Sequence, residues 1–424
     1  MKKLFPLFVV VLFAAASLFV GWKKVKKAPV EPPYLTVFGP VQMADGIGRQ
    51  AAELMAALKD SMTIGFVSTQ EIVYNDVPKE ILPLLRSKQR YHKKSGKVAI
   101  FEDCLWTPQH HPWKRFIRKT SPEQIRIAYS MFESTRIPSE WVLILNSYFD
   151  AVAVPDKFLI EVYRNSGVQI PIFELPLGLY LDPYFQEPPR NQAHKPMVFG
   201  NLSACIPRKN HLTLVRAFAK AFGNSKDVVL RMNCRNGNAQ TIRAVKEEIE
   251  LLGLDNIQFT NLPLNSAAYL NLFKTIDCYV SLAKSEGFSI QPREAMALGI
   301  PSIVTGNTAQ TTICESGFVR AISSTIPEPA DYFDFEGMTY GERFNCSVDE
   351  AATALLDLYD HYDEYLKKAE LGRKWVRQYE FKNLKDLYLS LVKPKKVILG
   401  NEDKITEEYL MTRSEALYKK YLAL

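Results

Sequence analysis

From Met197 to Val304 the 424-residue chain alternates short apolar runs with amphipathic ones, and that alternation restricts its fold more than any other feature. Strand-like runs at Met197–Asn201, Val228–Met232, Ile257–Thr260, Cys278–Leu282 and Ser302–Val304 are separated by helical patterns at Leu212–Phe222, Thr241–Leu252 and Ala267–Lys274. Strands joined through helices pair in parallel, and a parallel sheet must be covered on both faces. The first half repeats the pattern, with strand candidates at Tyr34–Phe38, Met62–Phe66, Val98–Phe101, Ala151–Val154 and Ile172–Leu175, and helices near Gln50–Leu58, Glu140–Asn146 and Lys157–Ser166. A hydrophobic content of 47% over this length suits two cored domains better than one.

The last strand pair encloses the stretch from Glu286 to Pro301, in which Glu286 and Glu294 stand eight positions apart around a helix start. Pro292 suits a first helical turn and Gly299 a stop, which predicts Glu294 in the first turn and Glu286 on the loop leaving the strand. Ligands of open α/β sheets bind at this carboxyl edge. Free N–H groups from Ser289 to Arg293 would face an anion, while the two carboxylates suit sugar or ribose hydroxyls. Simple dipole compensation by Glu294, with a solvated Glu286, is the alternative reading.

The phrase E-G-F, a second Glu, then A-M-A-x-G-x-P resembles the E-x7-E signature of retaining GT-B glycosyltransferases, the group 1 or family 4 enzymes that use nucleotide sugars. The resemblance extends from about Tyr34 to Tyr379 and implies two Rossmann-like doubly wound domains facing a cleft. It assigns Glu286 to the donor sugar, the backbone of Gly287, Phe288 and Ser289 to sugar and phosphate, and Glu294 to the ribose. Ser289-Ile-Gln-Pro-Arg293 departs from the Gly-Leu-Pro often found there, which leaves the conformation around Ser289 open. It further implies a hexosyltransferase acting with retention on a glycan or lipid-linked acceptor.

A second patch fits the same chemistry. Arg208 and Lys209 stand between the run ending at Asn201 and a helix, and two cations there can neutralise a diphosphate without a metal. They resemble the family's diphosphate site, with Gly200 allowing backbone approach. No Asp-x-Asp occurs, so no carboxylate-held metal or other cofactor is expected. In the first half Gly46-Ile-Gly48-Arg49-Gln-Ala51 opens a helix and is expected to approach the donor or acceptor. It also fits a dinucleotide fingerprint with Glu71 as its acidic partner, which keeps an NAD(P)-dependent oxidoreductase or epimerase as a rival, although Pro40–Asp45 intervene after the strand. Glu102, Asp103 and Glu133 are acceptor-side candidates at strand ends. The adjacent His110 and His111 lack zinc-helix spacing, and the six cysteines show no framework spacing. A GT-B scaffold without catalysis is the non-enzymatic alternative.

The expected organisation is a membrane anchor at 1–27, an acceptor-side domain at 33–180, a Pro-rich linker at 181–196, a nucleotide-sugar domain at 197–380 and a helical segment at 381–424. Leu4–Trp22 is long and apolar enough to span a bilayer, and Lys23, Lys24, Lys26 and Lys27 behind it favour a cytoplasmic catalytic portion. A cleaved signal peptide with processing near Ala14–Ser17 is the competing reading. The net charge of +7 is modest and comes with no nucleic-acid motif, so nucleic acid is not an expected partner. Basic runs at Arg86–Lys97 and Lys114–Lys119 could meet anionic lipid, or could be solvated loop faces. The oligomeric state is not indicated.

Overall fold

A computed structural model describes residues 33–43, 46–75, 77–88, 95–234 and 237–392, with short pieces at 397–399, 403–405, 417 and 419–420. The apolar segment Leu4–Trp22 lies outside the described residues. Among the described residues, no helix is long and apolar enough to cross a membrane.

The first domain runs β1 (Leu35–Gly39), α1 (Gly46–Leu58), β2 (Ile64–Ser68), α2 (Leu82–Lys88), β3 (Val98–Phe101), α3 (Trp113–Lys119), β4 (Ile125–Tyr129), α4 (Ser139–Tyr148), β5 (Ala151–Val154), α5 (Lys157–Ser166) and β6 (Ile172–Glu174). Its strands form one parallel sheet in the order β2-β1-β3-β4-β5-β6. Leu35 pairs with Ile64 on one side and Val98 on the other, so β1 lies between β2 and β3. Continuous apolar strands such as β1, β3 and β5 are buried on both faces, as a helix-covered parallel sheet requires. The sequence expectation omits β4, because Arg126 interrupts its apolar run. Arg126 is nevertheless tolerated in a central strand: its backbone N–H donates to Asp150 Oδ2 at 2.9 Å and its guanidinium to the Thr120 carbonyl at 3.1 Å.

After α6 (Asp182–Gln186) comes the second domain: β7 (Met197–Asn201), α7 (His211–Phe222), β8 (Val228–Asn233), α8 (Ala239–Leu252), β9 (Ile257–Thr260), α9 (Ser266–Phe273), β10 (Cys278–Ser281), α10 (Ile290–Ala297), β11 (Ser302–Gly306), α11 (Gln310–Glu315) and β12 (Arg320–Ser323). The sheet order is β12-β11-β10-β7-β8-β9. A hairpin, β13 (Ile326–Asp331) and β14 (Thr339–Asn345), precedes α12 (Val348–Asp360) and α13 (Tyr362–Trp375).

The chain then returns to the first domain. The Leu179 N–H donates to the Tyr379 carbonyl at 2.7 Å and the Phe381 N–H to the Leu179 carbonyl at 3.1 Å, so the two interdomain crossings lie side by side. Beyond them α14 (Lys385–Val392) buries Tyr388, Leu391 and Val392 in the first domain's core, together with residues of α1. The helical expectation for 381–424 holds for α14, but β15 (Val397–Leu399) and β16 (Asp403–Ile405) form an antiparallel pair.

In each sheet one strand has later strands on both its sides, so the chain crosses first to one side of it and then to the other: β1 between β2 and β3, β7 between β8 and β10. Loops leaving the carboxyl ends of such strands diverge and open a crevice. The loops after β7 and β10 carry Arg208, Lys209 and Glu286. Those after β3 and β4 carry Asp103 and Glu133.

Candidate active site

Asn201, the last residue of β7, donates from its side-chain amide to the Val280 carbonyl of β10 at 2.7 Å and accepts from the Ser203 N–H at 3.0 Å. This ties the two loops together at their roots. Arg208 and Lys209 then lie on a short 3₁₀ turn, Pro207–Lys209, which ends at Asn210 in the left-handed region and passes directly into α7.

Both cations meet Glu286. Arg208 Nη1 donates to Glu286 Oε2 at 2.9 Å and to the Ser285 carbonyl at 3.0 Å, and Lys209 Nζ donates to Glu286 Oε1. The Glu286 N–H donates to Thr308 Oγ1 at 2.8 Å, which fixes the loop from the other side. Arg208 also reaches across the cleft, where its Nη2 meets Glu133 Oε1 at 3.1 Å. Burial raises the Glu286 carboxyl, but Lys209 and Arg208 outweigh it and hold the group below the ordinary carboxylate range. Burial lowers the Lys209 ammonium against the opposing pull of Glu286. These groups line a cleft cavity of about 400 Å³ with Gly46, Asp103, Gly287, Phe288 and Ser289.

α10 begins at Ile290 with Ser289 at φ +69° as its N-cap, which puts Pro292 in the first turn as expected. Pro292 is accommodated at the third helical position because the first four N–H groups of a helix need no intrahelical acceptor. Glu294 therefore stands beyond the first turn, which corrects both its predicted position and the dipole-compensation reading. It is 1% exposed and accepts from three donors: Arg49 Nη1 of α1 at 2.8 Å, Tyr184 OH at 3.0 Å and Tyr269 OH at 3.0 Å. Together with Met43, Leu264 and Ala267 these residues line a second cavity of about 370 Å³. Glu294 and Glu53 keep Arg49 charged against burial, while burial pushes Glu53 itself up to about 7.

Arg293, inside the signature, is wholly buried and organises the loop before it. Its guanidinium lies 3.9 Å from the Phe288 ring centre and 4.4 Å from that of Tyr379, donates to the Phe288 and Ser289 carbonyls, and faces Asp156 at 3.9 Å. Phe288 is thus a buried packing ring at the cavity wall. Burial pushes Asp156 up to about 6, with Arg293 pulling the other way.

Three expected site residues have other roles. Gly200 is inside β7, where a Cβ would lie 2.4 Å from Ile276, so it permits strand packing. Gly48 allows α1 to close on the Gln42 backbone, which a Cβ would meet at 2.6 Å, whereas Gly46 does line the cleft. Glu102 is fully buried, away from the cleft cavity, with both carboxylate oxygens lacking hydrogen-bond partners, and burial pushes it up to about 8. Only Asp103 and Glu133 of the three acceptor-side candidates reach the cleft. Glu71 is exposed on the loop after β2.

Sequence reading missed Arg49, Tyr184 and Tyr269 as partners of Glu294, because their contacts join segments up to 245 residues apart. It also missed an aromatic wall. Phe335, in the turn of the β13–β14 hairpin, packs with Trp106, Phe132 and Trp141 of the first domain at ring-centre distances of 6.1, 5.9 and 6.3 Å. The hairpin is fastened there by Thr135 N–H to the Glu342 carbonyl at 3.1 Å and Glu342 N–H to Thr135 Oγ1 at 2.9 Å. His111 stacks on Trp106 at 6.1 Å.

Residues 185–324 match the family described as Glycosyl transferases group 1. No curated protein sequence matches the chain. Among solved structures, HepE of Anabaena in complex with UDP-glucose is similar with a TM-score of 0.61 and 11% identity, covering 84% of this chain and 99% of that one. A glycosyltransferase from Rickettsia africae gives a TM-score of 0.58 and 17% identity over 85% of this chain and 99% of that one. TarM of S. aureus gives 0.53 and 12% identity over 70% of this chain, which spans only 54% of TarM's length. The two facing parallel-sheet domains and these likenesses give the fold as GT-B.

Proposed function

We propose that the chain is a retaining hexosyltransferase that moves a sugar from a nucleoside diphosphate to a glycan or lipid-linked acceptor. The observation that carries the reading is the joint engagement of Glu286 by Arg208 and Lys209 at the point where the second sheet changes direction. The group 1 match over 185–324 and the fold shared with a UDP-glucose complex support it.

In this reading Arg208 and Lys209 bind the diphosphate and stabilise charge on its β-phosphate as the C1–oxygen bond breaks. Glu286 orients the hexose hydroxyls, and the Gly287–Ser289 backbone lies against sugar and phosphate. Glu294 accepts from the ribose while Arg49, Tyr184 and Tyr269 hold its carboxylate in place. The acceptor hydroxyl attacks C1 from the face the diphosphate leaves and passes its proton to the leaving phosphate oxygen. Asp103 and Glu133 orient that hydroxyl. Two fixed cations make added Mg²⁺ unnecessary. We further propose that Leu4–Trp22 anchors the chain in a membrane with these domains on the cytoplasmic side, a reading supported by the lysines that follow it.

The test is a thermal-shift screen of UDP-, GDP- and ADP-sugars beside NADH, followed by transfer assays with and without Mg²⁺. A ligand at a hundred times its Kd stabilises by about 2.7 kcal/mol. Binding of a nucleotide sugar with turnover supports the proposal. Binding of NADH alone would overturn it in favour of the oxidoreductase reading, and sugar-nucleotide binding without transfer or hydrolysis would leave a scaffold. Membrane fractionation of the chain with and without Leu4–Trp22 checks the anchor.

A further inference from the structure

Cys205 and His211 flank one loop and Cys234 stands 23 residues beyond His211, yet their ligand atoms lie within 4.8 Å of one another. Among the described residues this is the one group of three or more such side chains close enough to hold a metal ion. The two thiols are completely buried and the imidazole is 1% exposed.

The buried imidazole is incompletely satisfied. Nδ1 has no hydrogen-bond partner, and Nε2 has a long contact with Ser203 Oγ at 3.4 Å and one with Cys234 Sγ at 3.5 Å. Around a tetrahedral zinc with bonds of about 2.3 Å to sulfur and 2.0–2.1 Å to nitrogen, those ligand atoms are roughly 3.5 Å apart. The Cys234–His211 separation is therefore right for two ligands of one ion. The backbone is also built to close here: a Cβ on Gly237 would lie 2.8 Å from Cys205 Cβ, and only glycine lets the segment after β8 approach so near.

We propose that Cys205, His211 and Cys234 bind a structural zinc ion, with the Ser203 hydroxyl or a water as the fourth ligand. Each thiol gives up its proton on binding, and two thiolates, a neutral imidazole and Zn²⁺ make a site of zero net charge. Neutrality suits a place closed to solvent better than a cuprous dithiolate of charge −1. The position gives the ion a purpose. Cys205 precedes Arg208 by three residues and His211 follows Lys209 by two, so the ion clamps both sides of the turn carrying the two cations to the end of β8. The spacing of the six cysteines concealed this, because only β-sheet pairing brings Cys234 beside the loop after β7.

The test uses the full chain, reduced and stripped of metal, with Co²⁺ as a spectroscopic probe. The expected result is one Co²⁺ per chain, with thiolate-to-cobalt charge-transfer bands and tetrahedral visible bands that one equivalent of Zn²⁺ removes. Alkylation of the unmutated chain with and without zinc, mapped by mass spectrometry, should show protection of Cys205 and Cys234 and none of Cys314. Cys205→Ala/Cys234→Ala should lose the charge-transfer bands and Cys314→Ala should keep them. Absence of the bands in the unmutated chain, or protection confined to other cysteines, would overturn the proposal. All readouts report metal binding, so they stand or fall separately from glycosyl transfer.

Discussion

Arg49 of the first domain donates to Glu294 of the second at 2.8 Å, while its Nε lies 3.7 Å from Glu53, one helical turn along α1. One guanidinium thus joins the N-terminal helix of one sheet to the signature helix of the other. Removing either partner leaves a buried charge uncompensated, which typically costs about 3–5 kcal/mol. Glu294→Gln should therefore both lower the melting temperature and raise KM for the donor at least about tenfold, a factor equivalent to about 1.4 kcal/mol. Arg49→Met should show the same stability loss with a smaller change in KM. Calorimetry and donor-dependent kinetics on both variants separate the two effects.

Arg208→Ala should act on turnover. Loss of a preorganised donor to developing negative charge costs about 10²–10³ in kcat. Arg208→Lys should recover only part of that loss, since a point charge cannot meet Glu286, the Ser285 carbonyl and Glu133 together. Single-turnover measurements are the check, and equal kcat in Arg208→Ala and the unmutated chain would remove Arg208 from the site.

Glu102 makes a prediction about pH. Its carboxyl is raised to about 8 by burial and protonates near 4.5 when unfolded, so the unfolded chain binds fewer protons between these values. Stability linked to this group is fully present below about pH 4.5 and is lost as pH rises toward about 8, by up to about 1.4 kcal/mol per unit. Glu102→Gln should flatten that slope and be the more stable protein at pH 8. Urea unfolding between pH 5 and 8 measures it, and an unchanged slope would contradict the assignment.

Phe335→Ala should free the β13–β14 hairpin from the first domain. Truncating a buried phenylalanine typically costs about 3–5 kcal/mol, and here the loss falls on the contact with Trp106, Phe132 and Trp141. Hydrogen exchange should accelerate at Glu342 and Thr135, whose N–H groups fasten the hairpin, and stay unchanged in β7 and β8.

Periodicity carried most of this fold in the sequence. The strands at Val98–Phe101, Ala151–Val154 and Met197–Asn201 fall where apolar runs put them, because parallel strands under helices need continuous apolar sequence. β4 was hidden by Arg126, whose acceptors come from Thr120 and Asp150 on neighbouring segments. In the site, Glu286, Arg208 and Lys209 were legible because a loop at a sheet's change of direction concentrates such groups. Gly200 and Gly48 were misread because a glycine beside a site looks the same in sequence whether it admits a ligand or, as here, Ile276 or the Gln42 backbone. Arg49, Tyr184, Tyr269 and the Cys205–His211–Cys234 cluster were invisible because only tertiary structure brings their segments together.

The side-by-side crossings at Leu179 and Glu380 form a natural hinge axis between the two sheets, and the β13–β14 hairpin adds a noncovalent latch. Arg49–Glu294 and Arg208–Glu133 already tie the jaws together across the cleft. With the latch closed, swinging requires withdrawal of Phe335 from its aromatic socket and rupture of the Thr135–Glu342 pair. In the proposed reading, undocking of the hairpin is expected to influence how readily the cleft opens, so that Phe335→Ala is expected to alter turnover without touching the chemistry.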